Sequence, residues 1–371
     1  MLKNVHIWLG SYIAQELKRL MRPRNLPKPT HIMFCFVDHY EPEWQSADAD
    51  TQSRRVAEWI NRYPKLAQKH KDADGCSPKH TFFYPAEVYV KEHLEQLNKI
   101  CAQGLGEVEI HLHHDNDTEG GLRQKLQKAK DDFIRHGFLG KNKLTGETSF
   151  AFIHGNWCLN NSRKDGRWCG VNNETSILKA CGCYADFTLP SAPSETQTIT
   201  INTIYYPNGD ETKPKSHNTG IPVAVGAVHE PPLRHIISTQ PIIIQGPLTF
   251  NWRHRKWGII PKIENGDITG VNPPTTERVN LWIEQRIGIK NKSDWIFVKV
   301  HTHGAQESNL PVLLGESMDK MFSYLETIYN DGKNFILHYV SAREMYNMIK
   351  AGETGETGNP HQYRDYLIKK I

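Results

Sequence analysis

No apolar run in this chain approaches the ~18 residues that a membrane-crossing helix needs, so a membrane-spanning protein is not expected. Cysteine is sparse and unpaired in pattern. There are seven, an odd number, at 35, 76, 101, 158, 169, 181 and 183, with no CxxC spacing. That argues against a disulfide framework and a cysteine zinc motif, and for reduced thiols in a cytoplasmic setting. The opening residues lack an export signal, because the apolar run at 5–9 is short and no cleavage site follows. Excess charge is also missing. Lys and Arg number 45 against 41 acidic residues, and the resulting +4 is too small to argue for nucleic acid. No internal repeat is visible. A chain of 371 residues, 38% hydrophobic, is long enough for one large domain with an insertion, or for two domains.

Histidine, by contrast, is plentiful and concentrated. The stretch EVEIHLHHDND, 107–117, alternates at first: Val108, Ile110 and Leu112 point one way, Glu109, His111 and His113 the other. That is the period of a half-buried strand. It ends in His111, His113, His114, Asp115 and Asp117, all of ligand type for zinc and related metals. If a helical turn follows the strand, His113 and Asp117, four apart, face one point. The bland alternative is a surface loop with chance histidines.

Other strand ends carry polar clusters. The run HIMFCFVDHYEP, 31–42, reads as a buried strand ending in Asp38, His39, Tyr40 and Glu41. KHTFFYPAEVY (79–89) is a second strand, and SFAFIHGNW reaches His154, Asn156 and Trp157. WIFVKVHTHGA, 295–305, ends in His301 and His303. Amphipathic helices alternate with these strands, such as KEHLEQLNKICAQG and the Asn-capped NNETSILKA. Strand–helix alternation argues a parallel sheet, with catalytic groups at its carboxyl edge.

Residues 1–29 read as a basic amphipathic helix, ending in Lys18, Arg19, Arg22 and Arg24, and a Pro-containing linker. Such a helix packs on the domain or a partner, or lies on an anionic membrane surface. From 191 to 289 the pattern changes to short β runs (198–206, 221–228, 241–250, 256–263), a β-rich insertion forming a flap over the barrel mouth. Asn265-Gly266 marks a hairpin.

The order of these polar strand ends resembles the polysaccharide deacetylase family of carbohydrate esterases. FVDH stands where the family has TFDDGP, HTFF (80–83) where it has ATFF, and VEIHLHHDND where it has HEIGNHTYSH. LKACGCYADFTLP resembles the fourth motif, and VKVHTH the fifth. The resemblance covers about residues 30–190 and 293–350. It implies an α/β fold, a distorted (β/α)7 barrel divided into 30–190 and 290–371 around the insertion. It implies one divalent metal, expected to be zinc, on His39, His113 and Asp117, permuted from the family's aspartate and two histidines. In that register Asp38 is the general base; in a competing register Asp38 is the ligand. His301 or His303 is the acid that protonates the leaving amine. The third motif is replaced by IHGNW, so His154 or Asn156 takes its positioning role. Trp157, and Arg253 in NWRHRKW, are candidate sugar contacts. The implied activity is removal of an N-acyl group from an amino sugar of a glycan or its nucleotide- or lipid-linked precursor. The alternatives are a glycosidase on a similar barrel and a non-catalytic glycan-binding protein.

Overall fold

The computed structural model describes residues 2–21, 26–227, 237 and 239–370. Arg22 and Arg24 of the expected basic helix end, and Val228 of one expected β run, lie outside them.

Strand β1 (Thr30–His39) is buried along its whole length. Ile32, Phe34 and Phe36 enter one apolar cluster, and Met33, Cys35 and Val37 another. A strand apolar on both faces belongs in the middle of a parallel sheet. Its parallel neighbours are β2 (His80–Pro85), β12 (Trp295–Thr302) and β13 (Phe335–Val340). β12 runs beside residues 31–38 of β1, while β13 pairs with 30–35 and β2 with 36–39. The sheet continues from β2 through β3 (Gly106–Leu112), β5 (Thr148–His154), β6 (Cys183–Asp186) and β9 (Ile242–Ile244), all parallel. It ends in antiparallel β7 (Ile204–Pro207) and β8 (Gly220–Pro222). A short β4 (Gly140–Asn142) bridges β5 and β14 (Ile368–Lys370). The fold is mixed α/β with a mostly parallel sheet. Among the described residues no pairing joins its ends, so the expected barrel is not a closed sheet.

Helices fall where apolar residues recur at helical spacing. α1 (Leu9–Met21) opens the chain, and α2 (Ala49–Ala67) begins on the Asp48 cap and buries Trp59 and Tyr63. α3 (Lys91–Cys101) buries Leu94, Leu97 and Ile100. α4 (Glu119–Ile134) and α5 (Glu174–Ala180) follow β3 and β5. The expected Asn cap on α5 is only positional: Asn173 makes no cap bond, and its Nδ2 donates to Glu119 at 2.9 Å. α6 (Thr276–Glu284), α7 (Glu316–Tyr329) and α8 (Ala342–Glu353) complete the chain, α8 on a Ser341–Glu344 capping box.

The 191–289 segment is woven into the main sheet through β7, β8 and β9. Its remaining strands, β10 (Thr249–Lys256) and β11 (Ile260–Glu264), form a separate hairpin. The hairpin turn is at Trp257-Gly258, with φ of 54° and 73°, as a type I′ turn requires. Asn265-Gly266 instead steers the chain onto β12: Ile268 N–H bonds to the His301 carbonyl at 2.9 Å, and His301 N–H to that of Gly266 at 3.0 Å. This part of the segment thus reaches the strand end that carries His301.

Candidate metal centre

Alternation along three parallel strands directs their histidines to one side of the sheet. In β3, Val108, Ile110 and Leu112 join the helix-facing core, which leaves Glu109, His111 and His113 on the other face. In β1, His39 follows Val37 onto that face and Glu41 continues the period. In β12, His301 follows Phe297 in the same way.

Glu41 is the hub. Its Oε1 lies 3.0 Å from His111 Nε2 and 3.4 Å from His113 Nε2. The far nitrogens are held from outside: His111 Nδ1 sits 3.0 Å from the Ile153 carbonyl, and His113 Nδ1 2.5 Å from Glu87. The carbonyl can only accept, so His111 carries a proton on Nδ1, and its Nε2 meets the carboxylate at hydrogen-bond distance. Burial holds this ring below its ordinary pKa, against the pull of Glu41 toward the charged form. One donor atom each from Glu41, His111 and His113 lies within 4.8 Å of the other two, a spacing that ligands of a single ion share. A divalent cation could replace the protons shared among these atoms, and imidazoles anchored through their second nitrogen are how metal sites orient their ligands. The donor set therefore fits a metal.

On the other side of Glu41, donor atoms of His39, Glu41 and His303 also lie within 4.8 Å of one another. His39 is buried, its Nδ1 has no hydrogen-bond partner, and its ring stacks on His303 at 4.8 Å. Trp157 closes over both, 5.3 Å from His39 and 5.6 Å from His303. Burial, with the neighbouring imidazoles, lowers the pKa of His39. Burial opposes charge on His113 as well, but Glu41 and Glu87 outweigh it and raise the ring to about 10. Burial pushes Glu41 up, and His111 and His113 more than reverse this, holding it well below the carboxylate range. Glu43, close to Glu41 and Glu87, is driven by burial up to about 7. A cavity of about 560 Å³ opens elsewhere, under α1 between Gln15 and Trp295, and holds none of these donors.

Of the expected ligands, His39 and His113 both reach Glu41, but Asp117 does not join them. The expected helical turn after β3 is absent: Asn116 adopts φ 47°, and α4 starts only at Glu119. Asp117 therefore faces away, its carboxylate 2.6 Å from Lys125 and 3.2 Å from His114 Nδ1. Asp38, the expected base, lies on the opposite face from His39. Its two oxygens are occupied by His80 Nε2 at 2.8 Å and Gly304 N–H at 2.6 Å. Of the two acid candidates, His303 joins the group, and His301, buried with Nδ1 unpartnered, stands 6.5 Å from the His39 ring. His154 and Asn156 lie together, the Asn156 N–H 3.3 Å from His154 Nδ1, and His154 faces Glu174 rather than Asp38. Arg253 is exposed on β10, in the hairpin that packs on α1 through Phe250 and Tyr12, 4.8 Å apart.

Glu41 was a legible candidate, since it stands two residues past His39, just beyond the end of β1. Glu43 and Glu87 carry no such signal; Glu87 arrives through a turn after β2. Gly155 has a role seen only in space: a Cβ there would meet His113 Cδ2 at 2.2 Å, so only glycine lets the ring lie flat on this backbone.

No protein-family model matches the chain, and no curated protein matches it. Solved structures do. A Mycobacterium smegmatis protein described as a "putative polysaccharide deacetylase" is 12% identical with a TM-score of 0.45, covering 91% of this chain and 98% of its own. A Streptococcus mutans CE4 esterase is 11% identical with a TM-score of 0.34, covering 87% and 90%.

Proposed function

We propose that the chain is a metal-assisted hydrolase that removes an N-acyl group from an amino sugar. The observation that carries this reading is the convergence of His111 Nε2 and His113 Nε2 on Glu41 Oε1, with both outer nitrogens anchored. These three side chains would hold the ion, and two imidazoles with a carboxylate suit zinc, iron or nickel. When bound, such an ion polarises a carbonyl and makes water acidic enough to react near neutral pH.

The residues do the rest. Hydrolysis adds the oxygen of water to the acyl carbon, breaks the C–N bond and delivers a proton to nitrogen. Glu43, at about 7, is poised to take the water's proton at working pH. His303, on the opposite side of Glu41, gives a proton to the departing amine. Trp157 and the half-exposed Trp44, whose ring lies 6.4 Å from His303, form an aromatic wall for a sugar ring.

A membrane-linked glycan precursor is favoured by a second surface. α1 exposes Leu17, Leu20 and Met21 beside Lys18 and Arg19, and the β10–β11 tip exposes Trp257 and Ile259 beside Arg255 and Lys256. Trp252 Nε1 joins the two at 3.2 Å from the Tyr12 hydroxyl. Exposed apolar and cationic groups on two elements in contact suit an anionic bilayer.

The test is amine release from N-acetylated amino-sugar oligomers by the metal-loaded chain. Release that disappears in His111→Ala together with the ion supports the reading. A metal-loaded wild type that releases no amine, but cleaves a glycosidic bond or merely binds the glycan, replaces it.

A further inference from the structure

One residue beyond His113, the chain builds a second cluster that takes no part in the chemistry above. His114 Nε2 lies 3.1 Å from Glu174 Oε1, and His154 Nε2 lies 3.8 Å from the same oxygen. Cys169 Sγ lies 3.4 Å from Glu174 Oε2. One donor atom from each of the four falls within 4.8 Å of all the others, and all four residues are buried. His154 is wholly enclosed, and its Nε2 has no hydrogen-bond partner.

The surroundings of these donors are those of ligands. Asp117 Oδ2 stands 3.2 Å from His114 Nδ1, in ion-pair range but out of hydrogen-bond alignment, so a small ring rotation would make the carboxylate–imidazole pairing that orients metal-bound histidines. Asn160 N–H donates to Glu174 Oε2 at 2.8 Å. The backbone N–H groups of Asn161 and Val171 point at the Cys169 sulfur, at 3.3 and 3.5 Å. Two amides aimed at a buried sulfur suit a thiolate, yet burial and the Glu174 charge keep this thiol protonated unless a cation intervenes.

We propose that His114, His154, Cys169 and Glu174 form a closed, four-ligand structural site for a divalent cation, zinc by preference. A thiolate and a carboxylate neutralise the ion, and two imidazoles complete a tetrahedral set with no open position. On binding, Cys169 releases its thiol proton, and His114 releases the one on Nε2 while keeping Nδ1–H toward Asp117. His154 is the ligand least prepared. Its Nδ1 accepts from Asn156 and Cys158 at 3.3 Å, so freeing Nε2 requires the ring proton to move to Nδ1 at the expense of these two long bonds.

The site would cross-link the ends of β3 and β5, the loop 155–173 and the start of α5. That loop is conformationally demanding: Trp157, Asn160, Asn161 and Trp168 have φ of 54°, 50°, 52° and 69°. It also carries Trp157 over His39 and His303, so the cross-link holds one wall of the candidate active site. A Cβ on Gly170 would meet Asp117 N at 2.5 Å, which shows how closely the loop is pressed on the His114 side.

This inference does not rest on the proposed activity, and the experiment separates them. The full chain is loaded with cobalt and metal content is measured alongside the near-ultraviolet thiolate-to-cobalt absorption. The wild type should hold two ions and show the band, which needs no variant to observe. Cys169→Ser should lose one ion and the band, whereas Glu41→Gln should lose one ion and keep the band. A single ion with the band supports this site and removes the reading centred on Glu41. A cobalt-loaded wild type without the band overturns the proposal, as does unchanged metal content in Cys169→Ser.

Discussion

Replacing Glu41 by Gln keeps the side chain's shape and deletes the charge at the hub of the candidate centre. In the ion-free chain that charge and Glu87 hold the His113 ring protonated up to about 10. The lowered Glu41 and the raised His113 express one interaction and are counted once. A hydrogen bond to a charged group is worth ~1.5–3 kcal/mol, so at ~1.4 kcal/mol per unit His113 should titrate about one to two units lower in Glu41→Gln. Heteronuclear NMR of the ring nitrogens across pH reads this directly. His113 is charged in the folded ion-free chain to about pH 10, but unfolded only to about 6.5. Its stabilising contribution is therefore complete below pH 6.5 and is lost as pH rises through about 10. Denaturant unfolding should show that decline in wild type, and a smaller one in the variant. An ion must displace the same proton, so metal affinity should rise with pH over that window. Loss of supporting partners alone costs ~10–100-fold in metal affinity, and loss of the ligand itself should cost more. A wild-type His113 that titrates near 6.5, or a titration unmoved in Glu41→Gln, would refute the geometry argued for this site.

Gly155→Ala should displace the His113 ring and empty the Glu41 centre while leaving the fold intact; metal analysis with circular dichroism reads both, and full metal content would count against the packing described. Asp38→Ala leaves two buried donors, His80 and Gly304 N–H, without an acceptor, at ~1–3 kcal/mol each. It should therefore lower unfolding stability with the ion retained, whereas loss of the ion at unchanged stability would restore Asp38 as a ligand. Vesicles containing phosphatidylserine should pull down the chain in low salt, and Leu17→Glu with Trp257→Ala should abolish this; equal binding to neutral vesicles, or none, would remove the membrane contact.

How much of this could be read from residues alone follows from the range of each interaction. β3 and β1 declared themselves because burial on one or both faces writes period two, or an unbroken apolar run, into the sequence. Hence His111, His113 and His39 are legible in the sequence as strand-end groups. β13 escaped, although Phe335–Val340 is as apolar as β12, because nothing local says which strand it pairs with. Asp117 lies apart from His39 and His113 for a different reason: the i, i+4 rule belongs to helices, and here Asn116 at φ 47° breaks the chain's direction. Asp38 failed because a motif match fixes sequence position, while the pleat fixes side. With Val37 facing inward, His39 and Glu41 had to follow and Asp38 had to face α2. The tandem His113-His114 shows the same rule in its useful form. Adjacent residues at a strand end point apart, so one turns to Glu41 and the other to Glu174, and one short histidine run supplies two separate clusters. The partners that complete each cluster come from far along the chain: Glu41 and Glu87 for the first, His154, Cys169 and Glu174 for the second. Their meeting is a property of strand order β1-β2-β3-β5, which sets these four ends side by side and which no local pattern encodes.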